Sequence, residues 1–246
     1  MGKVVAILSG KGGTGKSTAT AALACALSEL GHSVVCVDAD TELRNLDLCL
    51  GLGDQALLDY GDVLSGVSTL NNALVSSAQY PLLRLLAAPQ EPVEGDLSTL
   101  IRELREDNDY VLVDYPGGLG DVVDEAAAVS DLIIMVATAD PCAHRDAERT
   151  AQLLREKGCG EARLLMNRVN TRLLRQQEIT LDDSIDQVGL RLIGYVPEDI
   201  RVTVALTQGV PLLQYAQNGR GAAAAFRRIA KRIDGQRVRL KYPVFR

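Results

Sequence analysis

Near the start of the chain stand two lysines, four glycines and two hydroxyls in the order Gly10-Lys11-Gly12-Gly13-Thr14-Gly15-Lys16-Ser17. The spacing fits G-x-x-x-x-G-K-[ST], in which glycines let backbone N–H groups converge on a phosphate chain. Lys16 then supplies a point charge to the β- and γ-phosphates and Ser17 a hydroxyl to Mg²⁺. Taken as bare composition, the same run would be a glycine-rich turn. Two acids belong to the same chemistry, because Mg²⁺ on a triphosphate needs carboxylates beside the phosphate loop. Asp114 closes the apolar run Tyr110-Val111-Leu112-Val113, and Asp38 closes Val34-Val35-Cys36-Val37. Asp40, two positions beyond Asp38, divides the work with it: one acid hydrates the metal and the other positions an attacking water. Read without the loop, these acids would be helix caps after strands.

Such residues act together only if the fold brings them to one edge. Short apolar, β-branched runs alternate with amphipathic stretches of helical length, the pattern of βαβ units around a mostly parallel central sheet with helices on both faces. The runs predict strands over 3–9, 34–38, 83–87, 110–114, 132–138, 162–167 and 192–196. Helices are expected over 16–30, 96–106, 120–129, 143–157, 180–188 and 221–233. Between residues 41 and 80, Gly51, Gly53, Gly61 and Gly66 predict short helices or turns beside the loop.

The chain has 246 residues, 47% of them hydrophobic, enough for one core and a single α/β domain. Five scattered cysteines without a C-x-x-C pair predict neither disulfides nor a metal knuckle and fit a reducing cytoplasm. The loop begins too early for a signal peptide, and no run reaches the length of a membrane span. His32 and His144 have no neighbouring histidine and predict no metal site. The net charge of −6 argues against a general nucleic-acid coat, yet residues 220–246 hold nine Arg or Lys against one acid, Asp234.

The loop with its second lysine, Lys11 through Thr18, resembles the deviant Walker A motif of the MinD/ParA ATPase family. That resemblance implies a P-loop NTPase fold, ATP and Mg²⁺ as cofactors, and an ATP-dependent homodimer in which Lys11 reaches the partner's nucleotide. It makes Lys11, Lys16, Asp40 and Asp114 catalytic, with Ser17, Asp38 and Asp114 toward the metal. The run Val37-Asp38-Ala39-Asp40, followed by Leu43-Arg44-Asn45-Leu46-Asp47-Leu48, is similar to the MinD branch rather than the ParA branch. Asn167, Arg168 and Pro197 resemble the family's adenine-side elements, with Asn167 as the adenine reader. The likeness spans nearly the whole chain, as one ATPase domain over 1–246 with a basic tail at about 234–246.

Three segments depart from the pattern. Asp114-Tyr115-Pro116-Gly117-Gly118 has Tyr where the family has Ser or Thr, plus an extra glycine, and predicts a more mobile loop and slower turnover. The run from Asp140 to Arg145 is shorter than in the MinD branch. Instead of a targeting helix, the chain closes on 238–246, where Pro243 disfavours a helix. In the preceding helix, Phe226, Ile229, Ala230 and Ile233 share one face and Arg227, Arg228, Lys231 and Arg232 the other. That face could dock on anionic lipid or DNA, or it could be the water side of a last core helix.

The resemblance therefore implies a cytoplasmic, partner-activated ATPase for spatial regulation such as division-site placement. Its partner would be a division inhibitor or activator, and peripheral attachment at the inner membrane face would be its extension. A ParA-like or flagellum-number-type positioning protein on DNA or a polar partner is the alternative. Metal carriers and biosynthetic enzymes of the same fold find no motif here.

Overall fold

A computed structural model describes residues 1–91, 93–118, 120–176 and 180–240. In chain order the elements are β1 (Lys3–Leu8), α1 (Lys16–Glu29), β2 (Val34–Asp38), α2 (Leu46–Leu50), α3 (Tyr60–Leu64), α4 (Leu70–Ala73), β3 (Leu74–Ser76), β4 (Leu83–Leu86), α5 (Leu97–Asp107) and β5 (Tyr110–Asp114). There follow α6 (Asp121–Val129), β6 (Leu132–Thr138), α7 (Pro141–Glu156), β7 (Glu161–Val169), α8 (Thr171–Gln176), α9 (Leu181–Val188), β8 (Arg191–Pro197), α10 (Ile200–Thr207), α11 (Leu212–Tyr215) and α12 (Gly221–Ile233).

The strands form one eight-stranded sheet in the order β3-β4-β2-β5-β1-β6-β7-β8, parallel throughout except for β3. Period-two alternation sends successive side chains to opposite faces. Val5, Ile7, Cys36 and Leu112 pack under α1, α11 and α12, whereas Val4, Val37, Val111 and Val113 pack under α5, α6 and α7. Every residue of β2 and β5 is buried, which explains their unbroken apolar runs.

The seven expected strands are present. The additional β3 is a three-residue antiparallel edge on β4, too short to display a period. The expectations passed over α8, α10 and α11. In α10, the run Ile-Arg-Val-Thr-Val is β-branched and locally favours a strand. It is helical because the Asp199 carboxylate caps its first turn through the Arg201 N–H at 3.1 Å, and because Ala205 is buried.

The last helix, α12, is a core helix. Phe226, Ile229, Ala230 and Ile233 are buried, while Arg227 forms an ion pair with Glu29 and Arg232 donates to the Ile193 and Val238 carbonyls. His32 lies 2.8 Å from Asp234, which also accepts from the Tyr110 hydroxyl at 3.0 Å, so this histidine pins the helix end to the sheet. Residues 236–240 are not helical. The rest of the expected basic tail, 241–246 with Pro243, lies outside the described residues.

Candidate nucleotide and metal site

The carboxylates come together through strand register. Asp38 pairs with Asp114 across β2 and β5, and Ile7 of β1 pairs with Asp114. Alternation turns both acids toward the α1 face at the C-terminal edge of the sheet, where open α/β sheets bind ligands.

Between β1 and α1 runs the glycine loop. Gly15 has φ +85°, and a Cβ there would lie 2.4 Å from Asn167 Nδ2, so only glycine fits. Helix α1 begins without a side-chain cap and without an acid in its first turn, which leaves its N–H groups and positive end to an anion. A Cβ at Gly12 or Gly13 would meet nothing within 4 Å, so the lip of the loop is open. The Thr14 hydroxyl is buried with no hydrogen-bond partner among the described residues.

Lys16 lies among the acids, its Nζ 3.1 Å from Asp114 Oδ1 and 3.9 Å from Asp40 Oδ2. Thr20 also donates to Asp114 Oδ1, at 3.1 Å, whereas Asp114 Oδ2 is buried without a partner among the described residues. Burial raises the Asp114 carboxyl above the ordinary range, against the pull of Lys16, Ser17 and Thr20. Asp38 accepts from the Asp40 N–H at 3.0 Å and the Leu46 N–H at 3.2 Å, which anchors the 40–46 loop. Burial, then the charge of Asp114, pushes its carboxyl up to about 7, and those N–H groups oppose the shift.

This cluster suits a divalent cation shared with phosphate oxygens. The donors are one orphaned carboxylate oxygen on Asp114 and the Ser17 hydroxyl beside it, a small all-oxygen set of the kind Mg²⁺ takes. Among the described residues no three His, Cys, Asp or Glu converge to hold a metal unaided.

Two adjoining cavities flank the loop and share Gly13, Gly15 and Thr18 as a wall. One, of about 400 Å³, is bounded by the loop, Asp40, Asn45 and Gly117; the other, of about 450 Å³, by Asn167, Arg168, Val196 and Pro197. Their placement suits phosphates in the first and a base in the second. The expected adenine-side residues therefore do gather, but the Asn167 amide is already engaged. Its Nδ2 donates to the Thr14 carbonyl at 2.8 Å and its Oδ1 accepts from the Arg168 N–H at 3.0 Å, so it braces the loop.

Lys11 stands apart from the acids, donating to Asp140 Oδ1 at 3.0 Å within its own chain. Asp140 also caps α7 through the Ala143 N–H at 2.9 Å. The expected helix starts at 143 and anticipates neither contact, although Asp-Pro is a recognisable helix start. Thr20 was likewise passed over, since a threonine in a helix carries no signal of its own.

Tyr115 does not enter the phosphate site. One position past Asp114, it points to the opposite face and is 2% exposed in the core there. Nor is the loop loose where it is described: the Tyr115 N–H donates to Ile7 and the Gly118 N–H to Ser9, at 3.3 and 3.0 Å. Gly117 packs against the Lys11 and Gly12 backbone.

Comparison with known proteins agrees with this geometry. The ParA family pattern, described as "NUBPL iron-transfer P-loop NTPase", matches residues 1–234. The septum site-determining protein MinD of Synechocystis is 35% identical over 244 residues, covering 97% of this chain and 91% of the relative. In the MinC:MinD cell division protein complex of Aquifex aeolicus the matched chain superposes with TM-score 0.90 at 30% identity, covering 98% of this chain and 99% of that one. The septum site-determining protein MinD of Pyrococcus horikoshii, complexed with Mg-ADP, gives TM-score 0.82 at 28% identity, with 95% and 96% covered.

Proposed function

Because the chain belongs to the ParA/MinD family of P-loop NTPases, we propose that it is a MinD-like ATPase of division-site placement whose ATP-bound form pairs with a second copy. It converts ATP and water to ADP and phosphate, with Mg²⁺ as cofactor. The description of the family pattern names iron transfer, but the relatives at this identity are septum site-determining proteins, and the five cysteines include no C-x-x-C pair.

In this reading the loop N–H groups, the start of α1 and Lys16 hold the phosphates, while Arg168 and Pro197 border the base. Ser17 and Asp114 would hold Mg²⁺, with Asp38 fixing the loop beside them, and the metal would supply neutralising charge to the β- and γ-phosphates. Asp40, 3.9 Å from Lys16 Nζ, would orient the attacking water.

One observation carries the dimer. Among the described residues Lys16 is the lysine paired with the buried Asp40 and Asp114, whereas Lys11 lies on the open lip with its side chain 36% exposed. A cation there can reach a second molecule's phosphates, as an arginine finger does. The MinC:MinD complex of the Aquifex aeolicus relative supports a protein partner for such a dimer. We favour a protein partner over lipid or DNA, because Arg227 and Arg232 on the basic face of α12 are tied to Glu29 and to backbone carbonyls.

Size-exclusion with light scattering, in apo, ADP and ATP forms of an Asp40→Ala variant, tests the proposal. A dimer with ATP alone, lost in Lys11→Ala, supports it; a monomer that binds ATP in every state rejects it. ATP-dependent sedimentation with anionic vesicles, or a gel shift on DNA lost in Arg228→Glu plus Lys231→Glu, would replace the protein partner with that surface.

A further inference from the structure

On the sheet face opposite α1, a cavity of about 340 Å³ opens between α3, the start of α5 and α6. Its wall holds two phenols, Tyr60 at 8% and Tyr115 at 2% exposure. Neither hydroxyl hydrogen-bonds to a described residue, whereas Tyr110 in the same sheet has Asp234. Neither hydroxyl is sealed inside the protein, so both are free to meet an occupant with hydrogen-bonding groups. The space exceeds what one water fills.

Charge selects the occupant. The Glu125 carboxylate lines the cavity, close enough to both phenols for its charge to act on them. Asp96 also lines the cavity, within range of the Arg102 charge, and the charge of Asp121 acts on Glu125. Glu125 is exposed, yet partial desolvation, then the charges of Asp121 and Asp96, raises its carboxyl above the usual range.

We propose that this cavity is a binding site for an organic cation, an ammonium or guanidinium group held by Glu125 between Tyr60 and Tyr115. The carboxylate supplies a charge-assisted hydrogen bond, the phenol oxygens accept further N–H groups, and the rings face the charge. The cation is either a free amine or a basic side chain of a protein partner.

The cavity also touches the nucleotide site through the backbone. Its wall residues Ala39 and Tyr115 are neighbours of Asp38, Asp40 and Asp114, and the Ala39 N–H donates to the Asp114 carbonyl at 2.9 Å. Occupancy on one face therefore biases the acids on the other. This coupling rests on the nucleotide-site reading; the binding does not.

Calorimetric titration of the nucleotide-free protein tests the site, with N-acetyl-arginine methylamide as the side-chain probe and putrescine as the free amine. Saturable binding of either probe is expected, weakened about tenfold by Glu125→Gln and about threefold by Tyr115→Phe, which keeps the ring. The tighter probe identifies the source. Absence of saturation up to about 10 mM, or binding that neither substitution weakens, overturns the site. A saturating probe that leaves ATP affinity unchanged overturns the coupling alone.

Discussion

Lys11 and Asp140, 129 positions apart, form an ion pair at 3.0 Å that holds the outer lysine of the phosphate loop to the start of α7. Burial disfavours the Asp140 charge, but hydrogen bonds from Thr138, the Ala143 N–H and Lys11 outweigh it and lower the carboxyl to about 2. A lysine that must reach a partner's nucleotide has to leave this carboxylate. Asp140→Asn keeps the helix cap, since Asn caps as well as Asp, and removes the charge. The ATP-dependent dimer should tighten about two- to fivefold, the worth of a half-exposed ion pair of up to ~1 kcal/mol. Sedimentation equilibrium with ATP measures it; an unchanged or weaker dimer shows that the pair does not restrain Lys11.

Lys16→Ala should abolish ATP binding and also destabilise the fold. It strips the cation from Asp114, which is fully buried. An uncompensated buried charge costs about 3–5 kcal/mol, reduced here because Asp114 can take up a proton. Adding Asp114→Asn should recover about half of the loss, and urea unfolding of the two singles and the double gives the coupling. Additive effects would mean that the pair is not coupled.

Asn167→Ala distinguishes bracing the loop from reading the base. With Nδ2 on the Thr14 carbonyl and Oδ1 on the Arg168 N–H, loss of the amide should weaken ATP and GTP alike, by about five- to fifteenfold for a net ~1–1.5 kcal/mol. Competition of both nucleotides against a fluorescent analogue decides the matter. A loss confined to ATP would restore Asn167 as an adenine reader.

Asp199 should set the acid limit of stability in the C-terminal region. It accepts from Arg201 Nε at 2.9 Å and from the Ala222 N–H at 2.9 Å, joining the start of α10 to that of α12. The Arg201 hydrogen bond leads the effects that lower its carboxyl to about 2, against burial. Because the folded value lies below the unfolded 3.8, its contribution is complete above pH 4 and fades as pH falls toward 2. Asp199→Asn should cost about 1–3 kcal/mol at pH 7 and progressively less below pH 4. Thermal melts across that range test it; a constant difference would assign the loss to packing.

The elements legible beforehand are those whose signal lies in consecutive residues. Strands β2, β5 and β6 have the expected bounds because they are unbroken apolar runs buried on both faces. The direction of Tyr115 was also open to inference, since period-two alternation along β5 requires it to oppose Asp114, but the family pattern drew attention to the loop instead. The short α10 and α11 were not legible: their own propensities are weak, and a cap and buried contacts from other elements hold them.

By itself, the sequence determined the phosphate loop, its flanking strand and helix, and the acids at two strand ends, because glycine spacing and apolar runs act within a few residues. Only the tertiary structure decided which groups those residues meet. Lys11 on Asp140 and Asn167 on Thr14 are contacts between residues far apart in the chain, and Tyr60 and Tyr115, also distant in sequence, line one cavity. Sheet order and register bring each pair together, and no local pattern encodes a partner's position.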